Sequence, residues 1–390
     1  MNGGEDDRSG GAYGRSVRAI AIVGLAAAAC AGGCGAGGAG TGETTLLWSH
    51  DPEGYFSDSN FADSEWGRHR IFVHRRGDFG GELTSLDPAT GAVRWSRAAR
   101  WYMHPPGVTS PMWIANRSDR PLNEYVNSWD IETLERIDPV TGKTLGVVAL
   151  DRAISTVMGE RLFWADGRIL AMERGRLSAI EPTTGKILWR VALADTTYSN
   201  FPPVVHDHTV VLQGTTYVAI DARDGHTIFR QVGECCTAKA SPDGRHLYLR
   251  LAVKRSVELD WDGAVVAERP GDVAAVSDRF VALQEEAQFA VYRHDSREPV
   301  WQAPTDTHRF IGAVTLTGDQ LFYFDSTDDT LWRRDLDGGG ARPVKKAQQR
   351  FVMSTDATGM SPAYLGTPPV WDPPVLFLLD WSIEAIRLEQ

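Results

Sequence analysis

The sequence lacks two features that would each have indicated a class of protein. It has no surplus of positive charge, because 51 Asp and Glu outnumber 40 Lys and Arg and give a net charge of −11. Nucleic acids and anionic membrane surfaces bind basic faces, so neither is expected as the main partner. It has no apolar run of the roughly 20 residues that a membrane-spanning helix needs. With 42% hydrophobic and 23% charged residues, the chain is predicted to be globular, neither disordered nor a polytopic membrane protein.

The motifs of several common enzyme classes are absent from the sequence as well. G-x-S-x-G, H-E-x-x-H and a phosphate-binding P-loop do not occur. The run H-D-H at 206–208 offers alternating imidazole ligands, but it is expected on a hairpin turn with both rings toward solvent. The acidic segment 325–329 lacks the Gly and the Glu of a calcium-binding loop. The sequence therefore assigns no catalytic residue and no metal ligand.

The N-terminal segment has the pattern of an export signal. A basic flank, a short apolar run and then small residues predict a signal peptide over residues 1–29, of the lipoprotein type. Small residues before a cysteine resemble a lipobox, and one of Cys30 and Cys34 is expected to be lipidated. Residues 30–41 are Gly/Ala-rich and are predicted to form a flexible tether. A plain signal peptide is the alternative, so the protein is expected to be exported, either as a cell-envelope lipoprotein or as a secreted protein.

Acidic turns recur along the rest of the chain, which holds 39 glycines and 13 tryptophans in all. The sequence D-P-A-T-G at 87–91 is repeated with variations at 138–142, 181–185 and 221–225. In each turn Gly supplies a positive φ and the acidic side chain accepts a hydrogen bond from its own backbone. Such turns lie 35 to 51 residues apart, which is the length of a four-stranded propeller blade.

These units predict an all-β fold, an eight-bladed β-propeller of four-stranded antiparallel blades over residues 42–390. Two of the blades are expected at 57–99 and 108–150. The C-terminus supplies only three strands of the last blade. The N-terminal strand 44–48 is therefore predicted to pair with the C-terminal strand 382–389 and to close the ring, which removes exposed sheet edges.

The segments D-P-A-T-G-A-V-R-W at 87–95 and E-P-T-T-G-K-I-L-W at 181–189 resemble the repeat of the PQQ-like β-propeller family. This family includes eight-bladed quinoprotein alcohol dehydrogenases. It also includes the propeller lipoprotein of the outer-membrane barrel-assembly machinery, to which this chain is closest in size; that protein binds partner proteins and carries no cofactor. The resemblance implies that the aromatic residue after each turn packs between neighbouring blades. The corresponding positions here are Trp48, Trp95, Trp189, Phe229 and Trp301.

The resemblance leaves three functions open. A quinoprotein needs PQQ and a Ca²⁺ ligand set of a Glu, an Asn and an Asp, and no motif of this chain matches that set. We therefore expect a non-catalytic protein-binding scaffold without a cofactor. It is expected to be a monomer, to hold a protein partner on one propeller face and to contact the membrane only through its N-terminal lipid. The alternatives are a small PQQ-dependent alcohol dehydrogenase and an extracellular small-molecule sensor that uses the propeller channel.

Cys235 and Cys236 are adjacent and follow the predicted fourth strand of one blade. In an oxidising compartment they are candidates for a vicinal disulfide near the mouth of the channel. A structural disulfide or two packed thiols is the expected role. A rigid lip for a ligand or a redox-sensitive switch is the functional alternative.

Overall fold

The computed structural model describes residues 45–50, 71–77, 80–87, 89–99, 101–103, 110–115, 128–157, 162–173, 175–193, 203–233, 238–305, 311–328, 330–346, 375–379 and 383–387, all within the compact unit Thr41–Gln390. The predicted signal peptide and tether lie outside the described residues, as do all four cysteines: Cys30, Cys34, Cys235 and Cys236. Regular structure in the described part of the chain consists of β-strands. No helix in that part is long and apolar enough to cross a membrane.

The described strands form eight antiparallel sheets. The chain begins with β1 (Thr45–His50), which belongs to sheet eight. Sheet one contains β2 (Ile71–Gly77), β3 (Gly80–Leu86) and β4 (Val93–Ala98). Sheet two contains β5 (Trp101–Met103), β6 (Met112–Ala115), β7 (Ser128–Ile137) and β8 (Thr144–Val157). Sheet three contains β9 (Leu162–Ala165), β10 (Arg168–Glu173), β11 (Arg176–Ile180) and β12 (Ile187–Ala192).

The later sheets repeat the same order. Sheet four contains β13 (Val204–His206), β14 (Thr209–Leu212), β15 (Thr216–Asp221) and β16 (Thr227–Val232). Sheet five contains β17 (Ala238–Ala240), β18 (Leu247–Ala252), β19 (Arg255–Leu259) and β20 (Val265–Pro270). Sheet six contains β21 (Asp272–Val276), β22 (Phe280–Gln284), β23 (Gln288–Arg293) and β24 (Pro299–Pro304). Sheet seven contains β25 (Ile311–Thr317), β26 (Gln320–Asp325), β27 (Thr330–Asp335) and β28 (Ala341–Lys346), and β29 (Val375–Leu379) and β30 (Ile383–Arg387) complete sheet eight.

The hydrophobic core lies between the faces of consecutive sheets. Residues of sheet three and sheet four share one buried cluster, which includes Leu170, Leu177, Val210 and Val218. Other clusters join sheets two and three, four and five, and six and seven. Because the middle strands are covered on both faces, they read as continuous apolar runs instead of alternating ones, and all four residues of β14 are buried.

A β-bulge fixes the position of the aromatic residue in the last strand of several sheets. In sheet three Trp189 lies opposite Ala179, whereas Ile187 lies opposite Ile180, so that Leu188 is the extra residue. The same shift precedes the aromatic residue in sheets one, four and six. The bulge bends the strand, and the aromatic side chains that follow it in sheets one, three, four and six contact the neighbouring sheet.

The N-terminal strand pairs with the C-terminal one. In β1 and β30, Thr45 lies opposite Arg387 and His50 lies opposite Ile383. Trp48 lies opposite Ala385 directly after a register shift, so its backbone occupies the position that Trp189 occupies in sheet three. Of the three predicted C-terminal strands, 366–372 lies outside the described residues.

Sheet two differs from the expected boundaries. Its first strand is β5, in which Trp101 pairs with Ala115, so a start at residue 108 is wrong. Its last strand continues past residue 150, because β7 and β8 pair again beyond a bulge and Ser128 lies opposite Val157. The aromatic run at 101–103 has the β-propensity of a strand. The long hairpin of β7 and β8 is paired along both strands, so sheet two extends beyond its predicted boundaries.

Candidate functional site

In each four-stranded meander, the connection between strands one and two lies at the same end of the strands as the connection between strands three and four. We call the surface formed by these connections in sheets three to seven the turn face. The turns of neighbouring sheets touch there: the backbone N–H of Asp243 donates to Asp278 (2.8 Å), and Arg279 pairs with Asp319 and Asp337. The turn face is therefore a continuous surface across sheets five to seven.

The acidic residue of each repeat closes its own turn. Asp87 Oδ1 accepts from the backbone of Ala89 (2.8 Å), and Asp138 Oδ1 accepts from Val140 (2.7 Å). The indole of Trp95 donates to the carbonyl of Pro139 in the next sheet (3.0 Å). The sequence repeat therefore joins sheet one to sheet two, since the turn of sheet two carries the acceptor for Trp95.

The other aromatic positions of the repeat lie at the same kind of contact. Trp189 donates to the carbonyl of Ala222 (3.0 Å), one sheet further on. Phe229 lies against the turn of sheet five, and the Trp301 ring centroid is 4.9 Å from that of Tyr323 in sheet seven. For Trp48 only the backbone is described.

A pocket of about 340 Å³ opens on the turn face between sheets four and five, and we call it the turn-face pocket. Three connections supply its side chains: β13–β14, β15–β16 and β19–β20. The lining residues are His206, Asp207, His208, Thr209, Asp221, Arg223, His226, Ile228, Trp261 and Asp262. Three of the ten histidines of the chain meet here.

Asp221 is the buried carboxylate of the turn-face pocket, with 1% of its surface exposed. Arg223 donates to it through Nη2 (2.5 Å) and Nε (3.0 Å). These bonds to Arg223 hold the pKa of Asp221 at about 2, against the opposing effect of burial. His208 approaches from the other hairpin, with Nε2 3.7 Å from Asp221 Oδ2.

The exposed side of the pocket carries a second His–Asp pair. His226 Nδ1 lies 2.7 Å from Asp224 Oδ1, which also accepts from the backbone N–H of His226 (3.0 Å). The two bonds lower the pKa of Asp224. The ligand atoms of Asp221, Asp224 and His226 all lie within 4.8 Å of one another, and this is the group among the described residues whose composition suits a metal ion.

The prediction that the H-D-H run lies on a hairpin turn is confirmed, whereas the prediction that both rings point to solvent is wrong for His206. His206 stacks on Trp261, with ring centroids 4.8 Å apart, and both histidines line the pocket. Sequence reasoning missed Asp221, Asp224 and His226 as neighbours of this pair. The predicted order of the strands could have shown that these residues are neighbours. The H-D-H hairpin and the D-A-R-D-G-H turn belong to one meander and lie at the same end of its strands.

A buried polar network joins sheets five and six. His246 and His294 stack with ring centroids 3.7 Å apart, and His246 Nδ1 lies 2.6 Å from Glu258 Oε1. His294 Nε2 donates to the carbonyl of Ser277 (2.8 Å), because a carbonyl can only accept. Burial lowers the pKa of His294 and favours the neutral imidazole, in which Nδ1 accepts from the hydroxyl of Tyr248 (2.7 Å).

Stability is expected to decrease at acid pH through His294. Burial lowers the pKa of His294, so the unfolded chain binds the proton first. The contribution is present above about pH 6.5 and is lost as the pH falls through the lowered pKa of the folded protein. Urea unfolding of the wild type and of His294→Gln across this range measures the effect. The variant should lose less stability than the wild type on acidification, and parallel pH profiles would contradict the prediction.

Exposed large apolar side chains concentrate on the last strands of the sheets, counting β1 as the last strand of sheet eight. Nine of the twelve that the described residues contain lie on these strands, and β20 carries two in succession. The nine are Leu46, Val93, Leu145, Val147, Leu188, Val232, Val265, Val266 and Val300. We call the last strands together the rim. Isolated exposed apolar residues are ordinary, but their placement on strands with one open edge is not random.

Comparisons with known proteins address the fold. Residues 131–342 match the model of the family described as outer membrane protein assembly factor BamB. The crystal structure of BamB from Moraxella catarrhalis is similar to this chain with a TM-score of 0.57 and 12% identity, covering 88% of this chain and 100% of that one. Hsv2 from Kluyvelomyces marxianus has a TM-score of 0.41 and 10% identity, covering 72% of this chain and 95% of that one. No curated protein sequence matches. The BamB likeness shows a β-propeller fold.

Proposed function

We propose a binding function for this chain, which belongs to the family of the outer membrane protein assembly factor BamB. In this proposal the chain is a non-catalytic scaffold that holds a polypeptide partner during outer membrane protein assembly. Residues 1–29 direct export, one of Cys30 and Cys34 carries a lipid, and residues 30–41 tether the propeller to the membrane. The chain acts as a monomer and without a cofactor.

The propeller of the proposal is a closed ring of eight blades over residues 42–390. Its support is the set of eight described sheets and the pairing of β1 with β30. Consecutive sheets share buried clusters, as blades of a ring do. A closed ring holds the blades in fixed relative positions, which a scaffold requires.

The observation that carries the binding proposal is the apolar rim. From the sequence we expect the partner on a propeller face, but the exposed apolar residues direct the proposal to the rim instead. A strand with one open edge presents unpaired N–H and C=O groups, and an extended polypeptide can add to it as a further strand. Exposed valines on that strand give the added segment an apolar surface to cover.

Strand β20 is the best-defined docking strand. It ends sheet five, so one of its edges has no partner strand among the described residues. Val265 and Val266 are 59% and 63% exposed. Natural sheets blunt open edges with charged residues and Pro, which β20 carries at its end, whereas its start has two valines in succession.

A photo-cross-linking residue in place of Val266 should capture a discrete polypeptide in the native cell envelope. Val253 is the matched control, because it is 63% exposed in the same sheet but lies in the turn between β18 and β19. The expected result is a defined adduct from position 266 and none from position 253. Val265→Lys in the same chain should reduce the adduct about tenfold or more, since a charge at the edge opposes strand addition.

Equal adducts from both positions would contradict rim docking, as would an adduct that Val265→Lys leaves unchanged.

The non-catalytic part of the proposal has its own test. Addition of PQQ and Ca²⁺ to the purified chain should give no stoichiometric quinone spectrum. A bound quinone with dye-linked alcohol oxidation would favour the dehydrogenase alternative instead.

A further inference from the structure

We propose that the turn-face pocket is a binding site for a divalent transition-metal ion of the zinc class, with His208, Asp221, Asp224 and His226 as ligands. The site is independent of the rim and of the partner proposed above. Four features of the molecule support it: the chemistry of the donor atoms, their spacing, the charge of the pocket and the backbone bonds that hold its two turns together.

The donor set suits zinc and its neighbours in the first transition series. Imidazole nitrogens and carboxylate oxygens are both common zinc ligands, and four of them complete a tetrahedral site. Two histidines and two aspartates balance the charge of a divalent ion. A hard ion such as magnesium would instead favour oxygen donors and retained waters.

The spacing of the donor atoms is close to that of a tetrahedral zinc site. Ligand atoms of Asp221, Asp224 and His226 lie within 4.8 Å of one another, and His208 Nε2 is 3.7 Å from Asp221 Oδ2. Bonds of the lengths found in zinc sites place tetrahedral ligands about 3.4 Å apart. Asp224 and His226 have 66% and 57% of their side chains exposed, so their rotation can close the remaining gap without moving the core.

The fold holds the two ligand-bearing turns in register. The backbone N–H of Ala222 donates to the carbonyl of His208 (2.7 Å), which ties the β13–β14 hairpin to the β15–β16 turn. The backbone N–H of Asp221 donates to the carbonyl of His226 (2.9 Å) and closes that turn. These bonds fix the backbones of three of the four ligands, which is the pre-organisation that a metal site needs.

The charge of the turn-face pocket favours a cation. Three aspartates line it, namely Asp207, Asp221 and Asp262, against the single guanidinium of Arg223, and Asp224 lies beside them in contact with His226. With neutral histidines this leaves an excess of negative charge. His226 Nδ1 lies 2.7 Å from Asp224 Oδ1, and ligation of a metal ion through this nitrogen requires the imidazole proton to lie on Nε2.

Arg223 gives the proposal a distinctive test. Its guanidinium donates to both carboxylate oxygens of Asp221, so it competes with a bound cation. The Arg223 side chain is 55% exposed and can turn away into solvent. Removing it should therefore strengthen metal binding, which is the opposite of what the loss of a ligand does.

The experiment is a titration of the untagged, chelator-treated chain with Co²⁺ and Zn²⁺, followed by visible absorption and calorimetry. Co²⁺ in a tetrahedral His–Asp site gives visible d–d bands without the near-ultraviolet band of a cobalt–thiolate bond, which separates this site from the four cysteines. His226→Gln should weaken binding by about tenfold or more. Arg223→Gln should strengthen it, and His206→Gln, which removes a pocket histidine outside the ligand set, should leave it within about twofold.

Three results would overturn the proposal. The first is the absence of saturable 1:1 binding to the wild type. The second is equal affinity in the wild type and His226→Gln, which would place the ion elsewhere. The third is weaker binding by Arg223→Gln. His226, Arg223 and His206 all have side chains at least 32% exposed, so the variants are expected to fold, and thermal unfolding without metal verifies this.

Discussion

Gly185→Ala is expected to lower the free energy of unfolding by about 3 kcal/mol, from left-handed backbone strain and overpacking together. Gly185 has φ +72°, and a Cβ added there would lie 2.1 Å from the carbonyl oxygen of Ala149 in sheet two. Relief of that contact requires the sheet-three turn to move away from β8. The turn is anchored there, because the Gly185 carbonyl accepts from the backbone of Asp151 (3.3 Å).

Gly175→Ala is the matched control for this prediction. Gly175 has φ +69° in the turn at the other end of β11, and nothing lies within 4 Å of an added Cβ. Only the backbone strain of about 1 kcal/mol remains at that site. Urea unfolding of both variants separates the cost of backbone strain from the cost of the contact with β8. If the two alanines cost the same, the Gly185 turn does not support the contact between sheets two and three.

The repeated turn made much of the fold predictable from sequence. Its acidic residue closes the turn, its glycine takes a positive φ, and the aromatic residue after it contacts the next sheet. All three residues lie in a short segment such as 181–189. The pairing of the chain ends was predictable because the last blade lacked a strand that the N-terminus could supply. The spacing of Trp48 from the preceding Gly42 differs from the spacing in the other repeats. The bulge after Leu46 nevertheless places the Trp48 backbone in the same register as theirs.

The pocket was less predictable, because it depends on which turns share an edge and on contacts between sheets. His206 and His208 stood out in the sequence, but Asp221, the carboxylate that His208 approaches, belongs to a turn that the repeat already explained. One residue therefore has a structural role in its turn and a second contact across the sheet edge. A pattern read along the chain detects the first role and not the second.

The buried ion pair between β19 and β20 of sheet five should produce the second large effect. Arg269 and Glu258 have 7% and 5% of their side chains exposed, and Arg269 also donates to the carbonyl of Ser296 (2.7 Å) and to that of His294. Arg269→Met leaves a buried carboxylate and two carbonyls without this donor. The expected loss is about 3–5 kcal/mol of unfolding free energy, measured by urea denaturation at neutral pH.

Two further variants distinguish burial from charge pairing as the cause. Arg255→Met breaks the Arg255–Glu268 pair between the same two strands, whose side chains are 54% and 62% exposed, and should cost below about 1 kcal/mol. Arg269→Met combined with Glu258→Leu should be more stable than Arg269→Met alone, because no unpaired carboxylate stays buried. If the double variant is the less stable of the two, the network around His246 contributes more than the ion pair, and the carboxylate is held mainly by the imidazole.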